Sequence, residues 1–322
     1  MSRVLVTGAT GQDGSYLVDR LLAAGHEVHA IVRGTVQHGE RSLPEAVVGH
    51  TADLGEPDAL DRTVRAVVPE VIYNLGGVSS VAASWADPVT TLAVTGLSVG
   101  TILEAAWGVR EATGHDVRVV QASSAEIFAG TSSVPQDEST PISPINPYGA
   151  AKALSMHLVD VYRRRGMFAA AGILYNHESP RRPTSFVTRK ITRAAAAIAA
   201  GDQDELVLGD LSVRRDWGWA PDFVDALVRI ASAETPDDYV VATGRSHSLE
   251  DFVEVAFDEA GIGDWRRHVT TDARFIRPTD AADLRGDPAK IARELGWVPT
   301  VGFEELVRRM VRHDLSERPA SG

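Results

Sequence analysis

The hydrophobic pattern divides the first half of the chain into short apolar runs separated by longer amphipathic segments. Strands are predicted at residues 4–7, 27–32, 71–75 and 117–122, with helices at 15–24, 60–68 and 97–107 between them. The apolar runs are nearly continuous rather than alternating, as expected for strands that are buried on both faces of a parallel sheet. Strands that alternate with helices form right-handed βαβ units, so the pattern predicts a Rossmann-type, doubly wound α/β fold.

The pattern changes after a loop at residues 137–147 that is rich in proline and serine. A long helix is predicted at 148–165 and a strand at 172–175, followed by helices at 187–200, 249–260, 288–295 and 303–312. We therefore expect a Rossmann domain over residues 1–175, to which some later segments return. A smaller mixed α/β domain is expected over residues 176–315, and a mobile tail over 316–322.

Composition narrows the functional classes. The formal net charge of -12 argues weakly against nucleic acid or an anionic membrane as a partner, and a hydrophobic content of 44% is ordinary for a globular enzyme. The chain has no cysteine, which excludes disulfides, thiolate nucleophiles and cysteine-based zinc sites. Its ten histidines form no His-Glu-x-x-His run, and no metal site is predicted. No uncharged apolar stretch reaches roughly 18 residues and no signal peptide is evident, so we expect a soluble cytoplasmic protein.

A glycine-rich turn joins the first predicted strand to the first predicted helix. It reads Gly8-Ala9-Thr10-Gly11-Gln12-Asp13-Gly14. Such a turn lets the backbone approach a pyrophosphate, to which the helix N-terminus offers N–H groups and the positive end of its dipole. The predicted dinucleotide contacts are Gly8, Thr10, Gly11, Gln12, Asp13 and Gly14. The alternative is a tight turn that holds no ligand.

Residues at the ends of the next strands are candidates for binding the rest of the dinucleotide. Arg33 follows the second strand, where a carboxylate would pair with a free adenosine ribose. An arginine suits a ribose that carries a 2′-phosphate, which predicts NADP rather than NAD, unless Arg33 is only a surface residue. Asp53 and Leu54 are candidate adenine contacts. Further candidate cofactor contacts are Leu75, Gly76 and Ser79, and Ser79 is also a candidate substrate contact.

A Tyr-x-x-x-Lys pair, Tyr148 and Lys152, opens the long predicted helix. The spacing puts both side chains on one helix face, where we expect the ammonium to lower the pKa of the phenol and make it a usable base. Ser124, at the end of the preceding strand, completes the Ser-Tyr-Lys set of short-chain dehydrogenases.

Glu126 adds a carboxylate that a simple oxidoreductase or 4-epimerase does not need. In an extended chain it would lie on the same side as Ser124. A dehydratase requires such a group, because one residue must remove the proton beside a new ketone and protonate the leaving hydroxyl. The alternative is that Glu126 caps the following turn.

The chain resembles the GDP-mannose 4,6-dehydratase family from end to end. The resemblance is carried by residues 7–17, 172–182, 186–191, 215–218 and 277–279. The run from Asn176 to Arg182, Asn-His-Glu-Ser-Pro-Arg-Arg, is the most specific, because it separates this family from most other nucleotide-sugar dehydratases and epimerases. The resemblance implies NADP as cofactor and GDP-mannose, or a closely related GDP-sugar, as substrate.

The resemblance also implies roles for individual residues. Ser124, Glu126 and Tyr148 would be catalytic together with Lys152. The implied NADP ligands are Lys152, His177 and Arg182. The implied nucleotide-sugar ligands are Asn176, Val187, Lys190, Arg215 and Arg277, and Asp280 stands where the family usually has a Glu.

The implied reaction is redox neutral. Tyr148 takes the O4 proton while hydride passes from C4 to NADP. Glu126 then removes the C5 proton and assists the loss of water from C6. Hydride returns to C6, and Tyr148 reprotonates C5, so that the cofactor is regenerated in every turnover.

Several segments depart from the family pattern. Arg33 and Asp53 are only twenty positions apart, where the family usually carries a longer arm that pairs subunits. A homodimer built on the two long helices is therefore expected rather than a tetramer. Residues 76–80 and 83–85 differ from the family's usual run with Gln, His and Lys, and Trp219 and Pro221 also differ from the usual residues. The type of reaction is therefore better defined than the identity of the sugar substrate.

Two other functions stay open at this point. A 4-epimerase or 4-keto reductase on the same scaffold keeps the Ser-Tyr-Lys set but usually lacks a carboxylate at Glu126. A non-catalytic NADP-binding sensor would belong to another class, and it would have no need of an activated phenol such as Tyr148.

Overall fold

A seven-stranded parallel sheet forms the centre of this computed structural model, which describes residues 1–34, 43–275, 279–281 and 283–317. In spatial order its strands are Val48–Thr51 (β3), Glu27–Val32 (β2), Arg3–Thr7 (β1), Val71–Asn74 (β4), Arg118–Ser124 (β5), Ala169–Leu174 (β6) and Asp238–Val241 (β11). All neighbouring pairs are parallel. The strand order reverses between β1 and β4, the point at which Rossmann-type sheets bind dinucleotides. The predicted α/β fold is confirmed.

Helices pack in layers on this sheet. Helix α1 (Gln12–Ala23) packs on α8 (Ala220–Ser232), while α2 (Pro57–Val67), α5 (Ser98–Thr113) and α6 (Pro147–Arg164) pack together. Each helix buries one stripe of side chains. In α1, for example, Leu17 and Leu21 are spaced by one helical turn and are both buried.

One long helix combines α4 (Pro88–Leu92), a π-helical turn at Ala93–Leu97 and α5, and it follows the short helix α3 (Val81–Ala86). It begins because Asp87 accepts a hydrogen bond from the Thr90 N–H and Pro88 occupies its first turn. By length and apolar composition, the helix Pro88–Thr113 could cross a membrane. However, half of its most apolar window is buried inside the protein, which is typical of a core helix in a soluble protein.

A second hydrophobic cluster lies outside the sheet. It contains α7 (Val187–Ala199), α9 (Leu249–Glu259) and α11 (Phe303–Ser316), which pack on one another. Helix α10 (Ala289–Leu295) packs instead on β11 of the central sheet. The small sheets of this region comprise β7 (Asn176–Glu178) with β10 (Trp217–Trp219), β8 (Leu206–Leu208) with β13 (Val269–Thr271), and β9 (Arg214–Arg215) between β12 (His247–Ser248) and β14 (Asp283–Leu284).

The predicted elements are present with shifted ends, but no bounds were predicted for several others. These are β3, α3, α8, β11 and the short strands β7, β8, β9, β10, β12, β13 and β14. Both α8 and β11 follow residue 175 and yet join the first sheet, while the division at residues 175 and 176 stays a prediction. The helix predicted to begin at residue 97 begins at Pro88, and α11 extends to Ser316, the first residue of the predicted tail. Residues 318–322 of that tail lie outside the described residues.

Candidate active site

The glycine-rich turn after β1 leaves no room for side chains at two positions. Gly8 has a φ of +68°, and a Cβ there would lie 2.9 Å from the backbone nitrogen of Gly76. A Cβ on Gly14 would lie 2.1 Å from the Gly8 carbonyl oxygen. Gly11 precedes α1 and makes no side-chain cap, so the first N–H groups of the helix have no capping side chain. This geometry fits the pyrophosphate of a dinucleotide.

The Gln12 side chain ties the turn to β7. Its Nε2 donates to the His177 carbonyl oxygen at 3.0 Å, and its Oε1 accepts from the Ser179 hydroxyl at 2.9 Å. Both ends of the amide are thus used inside the protein. The predicted contact between Gln12 and a dinucleotide would therefore be made by the backbone of Gln12.

Asp13 and His177 form an ion pair beside the turn. His177 Nε2 lies 2.8 Å from Asp13 Oδ2, and Nδ1 lies 2.6 Å from the Tyr175 carbonyl oxygen. Both ring nitrogens face acceptors, so the geometry calls for the cationic imidazolium. Burial lowers the pKa of His177, but Asp13 outweighs it and the pKa is raised. Burial correspondingly raises the pKa of Asp13, but His177 and Arg182 bring it below its ordinary value.

The candidates near the adenosine end are less closely enclosed. Arg33 is exposed at the carboxyl end of β2. Asp53 Oδ1 accepts a hydrogen bond from the Gly55 N–H at 2.8 Å and shapes its own turn. Leu54 packs against the core of the sheet, and a Cβ on Gly76 would lie 2.6 Å from its Cδ1. A side chain at Gly76 would therefore displace the end of the Leu54 side chain.

One cavity of about 450 Å³ brings most of the predicted residues together at the carboxyl ends of the central strands. The predicted residues that line it are Asp13, Leu75, Ser79, Ser124, Glu126, Tyr148, Lys152, Asn176, His177, Arg182, Val187, Lys190, Arg215 and Asp280. The predicted cofactor residues outside its lining are Gly8, Thr10, Gly11, Gln12, Gly14, Arg33, Asp53, Leu54 and Gly76. Arg277 lies outside the described residues. Candidate cofactor, catalytic and substrate residues thus share one cleft.

The prediction that Lys152 lowers the pKa of the Tyr148 phenol is wrong for the protein without a bound cofactor. Burial raises the pKa of Tyr148 to about 12, although a hydrogen bond with Ser124 and the charge of Arg182 oppose that shift. The Lys152 ammonium lies 5.8 Å from the centre of the Tyr148 ring and donates to the Ala122 carbonyl oxygen at 2.6 Å. Burial also lowers the pKa of Lys152 to about 8. Spacing on the helix was correct, but it could not reveal this degree of burial.

Glu126 reaches the cavity by another route than predicted. The strand β5 ends at Ser124, and Glu126 lies in a 3₁₀ turn at Ala125–Phe128, so the expected extended spacing does not apply. The residue that caps this turn is Ser124, whose hydroxyl accepts the Glu126 N–H at 3.3 Å. The Glu126 carboxylate instead accepts a hydrogen bond from Asn146 at 2.8 Å.

Two of the predicted substrate ligands in the cavity are basic residues that have partners within the protein. Lys190 donates to the Val207 carbonyl oxygen at 2.6 Å and lies 4.4 Å from the centre of the Phe275 ring. Burial lowers its pKa. Arg215 is 5% exposed and forms an ion pair with Asp280. These cations are therefore held in place by the protein itself.

Sequence reasoning missed two residues beside the catalytic set. Asn146 caps α6, and the Ser84 hydroxyl accepts the Tyr148 N–H at 3.2 Å. An Asn directly before a Pro at a helix start is an N-cap signal that could have identified Asn146. Nothing in the local sequence pointed to Ser84, which comes from a segment more than sixty residues earlier.

Comparisons with known proteins agree with one another. The model of a family described as GDP-mannose 4,6 dehydratase matches residues 5–310. The chain is 42% identical to GDP-mannose 4,6 dehydratase 1 of Arabidopsis thaliana, over 97% of this chain and 89% of that protein. It is 39% identical to the GDP-mannose 4,6 dehydratase of Homo sapiens, over 97% of this chain and 91% of that protein.

A solved structure shares the whole fold. The UDP-glucose 4-epimerase of Thermus thermophilus, in complex with NAD, has a TM-score of 0.84 at 27% identity. The match covers 98% of this chain and 100% of that one. Because an epimerase shares this architecture, the fold does not by itself select between epimerase and dehydratase chemistry.

Proposed function

The chain belongs to the GDP-mannose 4,6-dehydratase family, and from this membership we propose that it converts GDP-mannose, or a closely related GDP-sugar, to its 4-keto-6-deoxy derivative. Members of the family are hydro-lyases that use NADP(H). The observation that carries the proposal is the cleft in which Glu126 lies with Ser124 and Tyr148. A carboxylate beside the Ser-Tyr pair is what dehydration needs and epimerisation does not.

NADP is the proposed cofactor, held mainly by residues 1–175. The turn from Gly8 to Gly14 would receive the pyrophosphate, and Arg33 the 2′-phosphate. Lys152, His177 and Arg182 would hold the nicotinamide end from the cavity wall. Bound NADP would accept hydride from the sugar C4, return it to C6 and add positive charge beside Tyr148.

The nucleotide sugar is assigned mainly to residues 176–315. Lys190 and Arg215 supply the positive charge that a diphosphate requires, and both line the cavity. Asn176, Val187 and Asp280 line the same cavity, as does Ser79, which comes from the segment after β4. GDP-mannose is the proposed substrate because it is named for the relatives from plants and animals.

The proposed proton transfers divide between two residues. Ser124 would orient the sugar O4, and Tyr148, which lines the same cavity, would take the O4 proton as C4 is oxidised. The resulting ketone acidifies C5–H. Glu126 would then remove the C5 proton and deliver it to the C6 hydroxyl, which leaves as water. Tyr148 finally returns its proton to C5.

A turnover experiment tests this function. Purified protein is incubated with GDP-mannose without added cofactor, and the products are followed by mass spectrometry, by NMR for the configuration at C4, and by NADPH absorbance. The expected result is a product lighter by one water with no net NADPH. A product of unchanged mass with inverted C4 would establish an epimerase instead. Recovery of unchanged GDP-mannose would contradict the proposed substrate.

We further propose a homodimer in the cytoplasm. The helix Pro88–Thr113 and α6 carry exposed apolar side chains, with Val89 75%, Leu97 61% and Val161 56% exposed. A surface of this kind is typical of an interface between subunits. Leu97→Glu should convert a dimer to a monomer in light scattering after size exclusion. A wild-type monomer would contradict the proposal.

A further inference from the structure

Asn146 joins the two segments that carry the proposed acid–base residues. Its side chain is 6% exposed and caps α6: Oδ1 accepts the Gly149 N–H at 2.8 Å. Its Nδ2 donates to Glu126 Oε2, also at 2.8 Å. A backbone N–H needs an oxygen and a carboxylate needs a donor, so the two partners together determine how the amide is oriented. One side chain thus connects the helix of Tyr148 to the carboxylate.

The backbone around this contact has little freedom. A Cβ on Gly149 would lie 2.6 Å from the Glu126 carbonyl oxygen, so the start of α6 lies directly against the 3₁₀ turn. The Ser143 N–H donates to the Ile127 carbonyl oxygen at 2.7 Å and fastens the loop before α6 to the same turn. With both main chains fixed, the orientation of the Glu126 carboxyl group depends on its side-chain torsions, and Asn146 restrains these.

We propose that Asn146 is a positioning residue that selects which carboxylate oxygen of Glu126 transfers the proton. An N–H that donates to Oε2 disfavours a proton on that oxygen, because the hydroxyl oxygen of a carboxylic acid is a weaker hydrogen-bond acceptor than its carbonyl oxygen. The proton is thereby directed to Oε1, and Glu126 lines the cavity.

The proton and electron balance of the step follows from this assignment, which rests on the proposed function. Oε1 takes the C5 proton, and the electrons of the C5–H bond form the C5–C6 double bond. The C6–O bond breaks with its electrons on oxygen, and Oε1 returns its proton to the leaving hydroxyl. Water departs, and Glu126 is a carboxylate again. Asn146 takes no part in the preceding C4 oxidation, which uses Ser124 and Tyr148.

Three substitutions separate positioning from helix capping. Asn146→Asp keeps an N-cap oxygen for the Gly149 N–H and has no donor for Glu126, whereas Asn146→Ser keeps the oxygen and replaces the amide donor by a hydroxyl on a shorter side chain. Asn146→Ala removes both. Asp87→Ala is the matched control, because Asp87 also precedes a proline and caps the start of α4 by accepting the Thr90 N–H at 3.0 Å. Asp87 and Pro88 do not belong to the lining of the cavity.

The readout is a rapid-mixing experiment on NADP-loaded protein with GDP-mannose. NADPH absorbance reports C4 oxidation, and quenched samples analysed by mass report the loss of water. For Asn146→Ser and Asn146→Asp we expect NADPH to form at the wild-type rate and accumulate, while water loss slows by about 10–100-fold. Asn146→Ala should slow water loss in the same way and also lower the melting temperature. Asp87→Ala should lower the melting temperature and leave the kinetics as in the wild type.

Two outcomes would overturn the proposal. One is wild-type water loss in Asn146→Asp. The other is an equal slowing of NADPH formation and water loss, which would indicate only a disturbed helix start. The wild-type protein run in parallel tests the proposed function separately. If the wild type neither forms NADPH nor loses water, the function itself fails and this inference fails with it.

Discussion

The two sides of the cleft are built in different ways. On the dinucleotide side, the backbone shapes the site: Gly8 and Gly14 sit where a Cβ would lie within 3 Å of other backbone atoms. On the substrate side, side chains from separate segments shape it. Lys190 comes from α7, and Arg215 meets Asp280 from 65 positions further along the chain.

The two sides should differ in how they respond to amino-acid substitutions. A site made of backbone fails as a unit when one glycine gains a side chain, because the chain itself has to move. A site made of side chains loses one contact at a time. We therefore expect substitutions on the dinucleotide turn to abolish cofactor retention, and substitutions on the substrate side to weaken binding in steps.

The largest effect is expected for Gly14→Ala. Its Cβ would lie 2.1 Å from the Gly8 carbonyl oxygen, so the turn and α1 must separate. We expect a loss of about 1–3 kcal/mol in the free energy of unfolding and more than about 100-fold in NADP affinity. Denaturant unfolding and cofactor titration measure these. Gly263→Ala, where a Cβ meets nothing within 4 Å, is the control. Wild-type NADP affinity in Gly14→Ala would remove the distinction between the two sides.

A smaller effect is expected on the substrate side for Lys190→Ala. The ammonium is the cation of α7 that faces the cleft, and a lost charge-assisted hydrogen bond to a diphosphate is worth about 1.5–3 kcal/mol. The KM for GDP-mannose should rise by about 10–100-fold with little change in NADP affinity. Arg193→Ala, on the exposed face of the same helix, should leave KM unchanged. Equal effects of the two substitutions would argue against a diphosphate at Lys190.

Arg33→Ala tests the exposed end of the dinucleotide side. Arg33 would contact the dinucleotide through its side chain, although the rest of that site is shaped by backbone. Its loss should therefore weaken binding by one contact, as on the substrate side. NADP affinity should fall by about 10-fold, whereas NAD affinity should not change, since NAD lacks the 2′-phosphate. Fluorescence titration with both dinucleotides measures the ratio. An equal loss for both would show that Arg33 does not recognise the phosphate.

The smallest effect concerns the pH dependence of the Asp13–His177 pair. The pKa of His177 is raised, so its stabilising contribution is complete below about pH 6.5 and is lost as pH rises through the folded-state pKa. The pKa of Asp13 is lowered, so its contribution is lost only in acid, below about pH 3.9. Asp13→Asn should therefore lower stability more at about pH 5.5 than at about pH 9. A difference that grows with pH would contradict the ion pair.

The sequence predicted best what local spacing determines. The glycine turn and the pair Tyr148 and Lys152 depend on neighbours within seven residues, and their positions were predicted correctly. It did not predict β3, whose sequence Val-Gly-His-Thr is too polar and short for the apolar pattern of a central strand. Nor did it predict α8, because Pro221 reads as a breaker although it occupies the helix's first turn.

Quantities set by distant segments could not be read from spacing. The raised pKa of Tyr148 depends on burial by the whole cavity wall, and Lys152 finds its partner in Ala122, thirty positions earlier. Glu126 was predicted on extended-chain geometry, but the chain turns directly after Ser124. Its contact with Asn146 follows from how the loop before α6 folds back, which no local pattern contains.

The central claim is that Glu126 makes this cleft a dehydratase, and single-turnover kinetics of Glu126→Gln test it most directly. The amide keeps the shape of the side chain but cannot accept the C5 proton. With NADP-loaded protein and GDP-mannose, we predict that NADPH forms and persists, and that product lighter by one water appears at least about 100-fold more slowly than in the wild type. Water loss at the wild-type rate would contradict the claim, and would assign the proton transfers at C5 and C6 to another residue of the cleft.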